Sequence, residues 1–451
     1  MKPVALSVSL AAIVLAGCGE RISESDPVIA GIDAQLRQSL TMWGVTAIAP
    51  MPAQDPNLVA LGRALFFDKI LSGNKDIACA TCHQPAAALG DGLSLPVGTG
   101  GTGHGAARTL GAGRTFGPRQ SPSLLNSGLG LFYMFWDGRL SGRQGFFNNE
   151  TGIPLPPGLA TALIAQAMLP VLNRQEMRGN PGDRDRFGQI NELAQFTDDQ
   201  SGAIWQAVMQ RLLTIPEYVA LFNAAFPTRP ASQLTFADAA RALATFQMDA
   251  FTKTRSAFDR YLERDNAALS AAQKRGALLF FDEKPCGSCH NGPFIGGQGF
   301  ANVGVPQIGP GVRVQLPLDL GRGELEQHNS FYRFAFRVAP LRNVELTAPY
   351  MHSGAYATLE AVVEHYNNVP LAIRTYDTAQ LDPDLLPLYH GDEATIKNVL
   401  TTLDGRLQTP LNLTDGDKAD LVAFLKSLTD PAARNLAAIA PTRVPSGLPV
   451  N

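Results

Sequence analysis

The stretch Gly276-Ala277-Leu278-Leu279-Phe280-Phe281-Asp282-Glu283-Lys284-Pro285-Cys286-Gly287-Ser288-Cys289-His290 decides the reading of this chain. It ends in a CxxCH pattern, whose two thiols can add across the vinyl groups of one porphyrin while the histidine offers an imidazole to the iron. A second copy, Cys79-Ala80-Thr81-Cys82-His83, lies upstream, and Gly62-Arg63-Ala64-Leu65-Phe66-Phe67-Asp68 ahead of it repeats the run that precedes Cys286. With 5 cysteines and 7 histidines in 451 residues, chance supplies on the order of 10⁻³ such patterns, so a pair is not coincidence. Two competing chemistries would use the same thiols: a four-cysteine zinc site, or a disulfide within each pair. Neither gives a reason for a histidine after each pair.

The repeat argues for duplication of one unit. Gly62 and Phe66, like Gly276 and Phe280, fall on one helical face, where the glycine permits close approach of another helix. Each copy has a candidate partner downstream. Thr235 to Phe251 reads as an Ala-rich amphipathic helix; Thr414 to Leu428 starts with a Thr414/Asp417 capping pair, carries Leu421, Phe424, Leu425 and Leu428 as an apolar stripe, and is closed by Pro431. No alternating segments are long enough to predict a sheet. The expected fold is all-α: two cytochrome c-like haem domains packed across an interface, with long loops.

Composition narrows the setting. Charged residues make up 17% and hydrophobic ones 45%, with 43 Gly and 32 Pro, which suits a loop-rich globular exported protein. The net charge of −3 leaves no basic footprint for nucleic acid. Lys2 followed by the uncharged run Pro3 to Gly17 has the layout of a secretory signal, and Leu15-Ala16-Gly17-Cys18 resembles a lipoprotein lipobox. The expected organisation is a signal peptide at 1–17 and a tether at 18–55 with a short helix around Ala34 to Trp43. Haem domains follow at 56–252 and 253–432, with an extended tail at 433–451. Thr151 to Gln200, rich in Pro, Gly and Asn, is expected to be a long excursion from the first domain. The address is the periplasm, with the outer membrane contacted only through lipidated Cys18.

Leu61 to His83, Phe135-Trp136-Asp137-Gly138-Arg139, Pro216-Glu217-Tyr218 and Phe336 to Gly354 together resemble the bacterial di-haem cytochrome c peroxidase and MauG superfamily. The resemblance implies an oxidoreductase with two covalent haem c groups, the N-terminal one reacting with hydrogen peroxide and the C-terminal one passing or storing electrons. Electrons would come from a small cytochrome c or copper protein; alternatively, as in MauG, side chains of a protein substrate are oxidised. A non-catalytic electron carrier is the third reading. Cys79 and Cys82, and Cys286 and Cys289, would hold the haems, with His83 and His290 as proximal ligands.

The resemblance also assigns further residues. Glu176 matches the distal glutamate that shuttles a proton between peroxide oxygens, the alternative being a solvated acid between Arg174 and Arg178. Trp136 matches a tryptophan between the haems that relays oxidising equivalents, the alternative being a core aromatic. His104, between Gly103 and Gly105, matches a loop histidine that blocks the first iron at rest, or is an exposed loop residue. Tyr366 stands where peroxidases place a methionine ligand and resembles the tyrosine ligand of MauG; Met351 and His365 are its competitors. Arg342 and His352 match positions near the haem propionates. A calcium ion between the domains would use Gln120, Thr347 and Pro349, with Gln120 replacing the family's Asn.

Overall fold

The computed structural model describes residues 27–143 and 146–450. The signal sequence and Cys18 lie outside the described residues, and among those described no helix is long and apolar enough to cross a membrane.

The two repeated runs become helices, Pro56–Phe67 and Ala271–Leu278, each crossing a downstream partner. The first partner is Phe236–Ala250, which Thr235 caps, and the second is Asp415–Ser427, headed by the Thr414 that the sequence marks as a cap. At each crossing the glycine sits against the partner's backbone. A methyl at Gly62 would lie 2.0 Å from the Ala242 carbonyl oxygen, and one at Gly276 would lie 1.9 Å from that of Asp420. Around the first crossing Phe66, Phe67, Phe246 and Phe251 pack edge to face; around the second Phe258, Phe280, Phe281 and Phe424 do the same. Two large apolar cores result, built on one plan.

Glycine normally weakens a helix by about 1 kcal/mol relative to alanine. At Gly276 the steric cost is larger, because the helices must separate to admit a methyl. Gly276→Ala is therefore expected to destabilise by about 1–3 kcal/mol despite its propensity gain. Gly31→Ala, in the helix Pro27–Met42 with nothing within 4 Å of the added methyl, should be neutral or stabilising. Denaturant unfolding of both variants checks the contrast; equal effects would remove the close-crossing argument.

The chain ends depart from expectation. The segment read as a tether forms Pro27–Met42, longer than the short helix expected, and Leu36, Leu40 and Val45 enter the second core. Tyr261 Oη and Lys274 Nζ both donate to Asp33, at 2.8 and 2.9 Å, and Trp43 Nε1 donates to the Phe281 carbonyl. The expected tail instead returns to the first core, burying Ala433, Leu436, Val444 and Leu448, while Ser446 donates to Asp68. Each terminal segment thus packs on the unit farther from it in sequence.

The Thr151 to Gln200 stretch is likewise no excursion. It folds as short turns, Ala162–Ala167, Pro170–Leu172, Arg174–Arg178 and Glu192–Gln195, that bury residues including Leu163, Met168 and Met177 in the first core. Trp205 is buried beside it and donates to the Met168 carbonyl. The fold is mostly helical, but strands β1 Tyr133–Met134, β2 Leu140–Arg143 and β3 Phe146–Asn149 form a small antiparallel sheet, and β4 Phe300–Ala301 pairs with β5 Phe336–Arg337. These strands are two to four residues long, too short for alternation to register.

Candidate functional site

Both CxxCH motifs open onto one continuous, largely apolar cavity of about 730 Å³. Each cysteine pair occupies a single helical turn, Cys79–Cys82 and Cys286–Cys289, which puts both thiols beside the following histidine. The two histidines are held alike. His83 Nδ1 bonds the Leu89 carbonyl at 3.1 Å and His290 Nδ1 bonds that of Ile295 at 3.3 Å. The carbonyls of Pro122 and Ala339 lie beside the rings, but the Nδ1 contacts are those with hydrogen-bond geometry. A proton fixed on Nδ1 leaves the Nε2 lone pair for a metal. Burial lowers both imidazoles to about 4, so they stay neutral, as a ligand must.

The thiols tell against the competing chemistries. All four are free, so neither pair is a disulfide. Burial pushes Cys79 and Cys286 up to about 12, which keeps them as neutral thiols. Among the described residues no group of three or more His, Cys, Asp or Glu side chains could hold a metal ion. Two neutral imidazoles, paired thiols and an apolar cavity fit two c-type haems.

Glu176 faces the cavity from the turn Arg174–Arg178. Asn173 caps that turn through Oδ1, which accepts from the Gln175 and Glu176 amides, and its Nδ2 donates to Glu176 Oε1 at 3.0 Å. Arg174 and Arg178 both bond Asp198, so neither flanking arginine pairs with the glutamate. Surrounding protein pushes the carboxyl up from its ordinary value, opposed by the charge of Arg139.

Trp136 also lines the cavity. Its indole N–H donates to the Gln120 carbonyl at 2.9 Å, and the Gln120 amide donates to the His352 carbonyl at 2.7 Å. The His352 ring, itself on the cavity wall, stacks on Phe336 with centres 3.4 Å apart. Behind this row Arg119 bonds Asp319 through two nitrogens, at 2.6 and 2.8 Å, and Asp137 through a third at 2.6 Å. Burial alone would raise both carboxyls; the Arg119 charge outweighs it, helped at Asp137 by Arg139, and holds both below the usual range.

A family model described as di-haem cytochrome c peroxidase matches residues 56–267. The cytochrome c551 peroxidase of Pseudomonas aeruginosa is 34% identical over 324 residues, covering 72% of this chain and 74% of that protein. This chain belongs to the di-haem cytochrome c peroxidase family. The methylamine utilization protein MauG of Methylorubrum extorquens is 28% identical, with 84% of this chain and 81% of that one covered. Among solved structures, a MauG-like protein associated with microbial copper homeostasis superposes with a TM-score of 0.58 at 25% identity, covering 86% of this chain and 94% of the other.

Against that family pattern, Tyr366 and Met351 both line the cavity. Tyr366 lies on the helix Leu359–Asn367, close enough to Cys289 and Cys286 for their charges to add to the burial that raises its phenol. His365 faces away. Its Nδ1 accepts from Tyr356 Oη and its Nε2 donates to the Val303 carbonyl, both at 2.7 Å, so neither nitrogen is free for iron.

Three further expectations meet a different arrangement. His104 is exposed and off the cavity wall, because Gly103 and Gly105, both at positive φ, turn the loop outward while buried Arg108 anchors it to the Val97 and Gly98 carbonyls. Arg342 reaches the cavity, but its guanidinium is taken by Asp259 and the carbonyls of Pro293 and Thr46. Gln120 Nε2 donates directly to the Pro349 carbonyl, and Thr347 Oγ1 donates to that of Val344. The Gln120 amide thus meets the Pro349 oxygen through Nε2, where the expected ion would need its Oε1.

Sequence reasoning missed Arg337. Its guanidinium is buried on the cavity wall with Nη1 on the Tyr133 carbonyl and Nε without a partner, and burial lowers it to about 10. Arg337 falls within the resembling stretch Phe336 to Gly354, but only the folded chain shows the free N–H.

Proposed function

We propose that this chain is an exported di-haem c enzyme that reduces hydrogen peroxide to water with two electrons from a small redox protein. The observation that carries the reading is the meeting of Cys79, Cys82, His83, Cys286, Cys289, His290 and Glu176 on one cavity. Residues 56–252 and 253–432 would form the two haem units, each thiol pair joined covalently to a porphyrin. Export would place the enzyme in the periplasm, with lipidated Cys18 as its outer-membrane anchor.

Haem supplies an iron that can bind peroxide and accept or store electrons. The protein does the rest. His83 Nε2 and His290 Nε2 would hold the two irons, their rings oriented by the carbonyls on Nδ1. Glu176 accepts the proton from the near peroxide oxygen and returns it to the far one, which leaves as water. Asn173 holds that carboxyl in place. Trp136, fixed by its N–H bond to Gln120, offers an oxidisable ring on the cavity wall that both motifs share. Arg337, with its free Nε–H, would bond a haem carboxylate, and His352 would lie beside one.

A MauG-like oxidation of side chains on a partner protein is the second reading, favoured by Tyr366. A phenolate stabilises ferric and higher iron states, whereas a thioether raises the potential. Tyr366→Phe is expected to change the low-spin signal of the second haem; an unaltered signal would assign the ligand to Met351. To separate the two functions, the purified diferric protein is mixed with peroxide with and without a reduced small cytochrome. Turnover of the cytochrome supports the peroxidase. A long-lived oxidised species that ignores the cytochrome supports protein oxidation, and no spectral response overturns both.

A further inference from the structure

Behind Tyr366 runs a row of oxidisable rings that peroxide reduction does not use. Tyr366 and His365 have ring centres 5.5 Å apart, His365 and Tyr356 5.0 Å, Tyr356 and Tyr376 5.6 Å, and Tyr376 and Tyr389 5.5 Å. The row starts at the cavity wall and ends at Tyr389, which is partly exposed. Phenols lose an electron far more readily than phenylalanine or aliphatic side chains, so tyrosines at this spacing form a path that the surrounding core does not.

One member is equipped to hold the vacancy left by a lost electron. An oxidised phenol is a strong acid and must pass its proton to a base within hydrogen-bond reach. Tyr356 is 4% exposed and donates to His365 Nδ1 at 2.7 Å. The Val303 carbonyl accepts from Nε2 of the same ring, which fixes the tautomer and leaves Nδ1 as a free base. Tyr376 has no such partner, since its hydroxyl donates to the Ala355 carbonyl, which cannot take a proton. Tyr366 lies on the cavity wall.

We propose that Tyr356 and His365 form a proton-coupled redox site that takes one oxidising equivalent from the second haem position and makes it available at Tyr389. The proposal rests on the peroxide reaction described above, which supplies the oxidant. One electron leaves Tyr356 across Tyr366 to the peroxide-oxidised cofactor. The phenolic O–H bond breaks as an N–H bond forms at His365 Nδ1, giving a neutral phenoxyl and an imidazolium. An external one-electron donor, such as a hydroquinone, then sends an electron across Tyr389 and Tyr376; Tyr356 is reduced and Nδ1 returns the proton. The chain thereby gains an oxidation site at its surface, remote from the cavity.

The test mixes the diferric holoprotein with one equivalent of peroxide, without donor, and follows haem absorption together with freeze-quenched electron paramagnetic resonance. A neutral tyrosyl radical is expected in the wild type, and Tyr356→Phe, with an unchanged resting spectrum, should lose it. Tyr389→Phe should keep the radical but slow its reduction by added hydroquinone. This second variant decides the matter should Tyr356→Phe fail to fold. A radical unaltered in Tyr356→Phe, or hydroquinone reduction unaltered in Tyr389→Phe, overturns the relay. A change in haem absorption with no tyrosyl radical overturns the relay alone; an unchanged absorption overturns the peroxide reading and the relay with it.

Discussion

Glu176→Gln is expected to lower peroxide turnover by about 10²–10⁴-fold, the range for removing a positioned proton shuttle. The substitution keeps the size of the side chain and an oxygen for the Asn173 N–H, so the turn Arg174–Arg178 should persist. What it removes is an atom that can both take and return a proton. Because Arg174 and Arg178 are bound to Asp198, neither is released to compensate, and no new ion pair forms in the cavity. Haem content and the resting spectrum should match the wild type while steady-state reduction of peroxide collapses. Turnover equal to the wild type would remove Glu176 from the chemistry and return it to the role of a cavity-wall acid.

Arg119→Met should be the most damaging change behind the cavity. It leaves Asp137 and Asp319, 3% and 4% exposed, buried without the cation they share. Breaking a buried pair in this way costs about 3–5 kcal/mol, against a total stability of about 5–15 kcal/mol for a folded domain. The pH dependence changes sign as well. In the wild type both carboxyls are held below the ordinary 3.8, so the network's stability is present above that value and is lost as pH falls through the lower folded values. Without Arg119, burial dominates at Asp319 and raises it, while Asp137 keeps only Arg139. The folded state then binds protons more readily than the unfolded one, and stability falls as pH rises from the ordinary 3.8 toward the raised folded value. Denaturant unfolding at both ends of that window tests this; a variant as stable as the wild type, or one more stable at the higher pH, contradicts it. Adding Asp137→Asn and Asp319→Asn should recover much of the loss, because the uncompensated charge is gone.

The parts of the fold that the sequence announces are those written in local spacing. The CxxCH turns, the Gly-to-aromatic interval at Gly62 and Gly276, and the Thr414/Asp417 capping pair each involve residues within five positions, and the helices follow them closely. The Arg119 network is different in kind. Its partners Asp137 and Asp319 lie 18 and 200 residues away, and no pattern in either segment marks the pair. The terminal segments were opaque for a related reason. Leu436, Val444 and Leu448 stand in a stretch broken by Pro441, Pro445, Gly447 and Pro449, so their burial becomes visible only when Ser446 is seen on Asp68. For His104 the sequence leaves both readings open, because flanking glycines permit a loop to swing inward or outward, and buried Arg108 holds it outward.

The central claim is that both thiol pairs carry a porphyrin in the shared cavity. Intact-mass and peptide mass spectrometry of mature protein, made in a host that performs haem attachment, test it directly. The account predicts a mass two haems above the processed polypeptide, with thioether adducts mapped to the peptides containing Cys79 to Cys82 and Cys286 to Cys289. Unmodified thiols at either pair would contradict it.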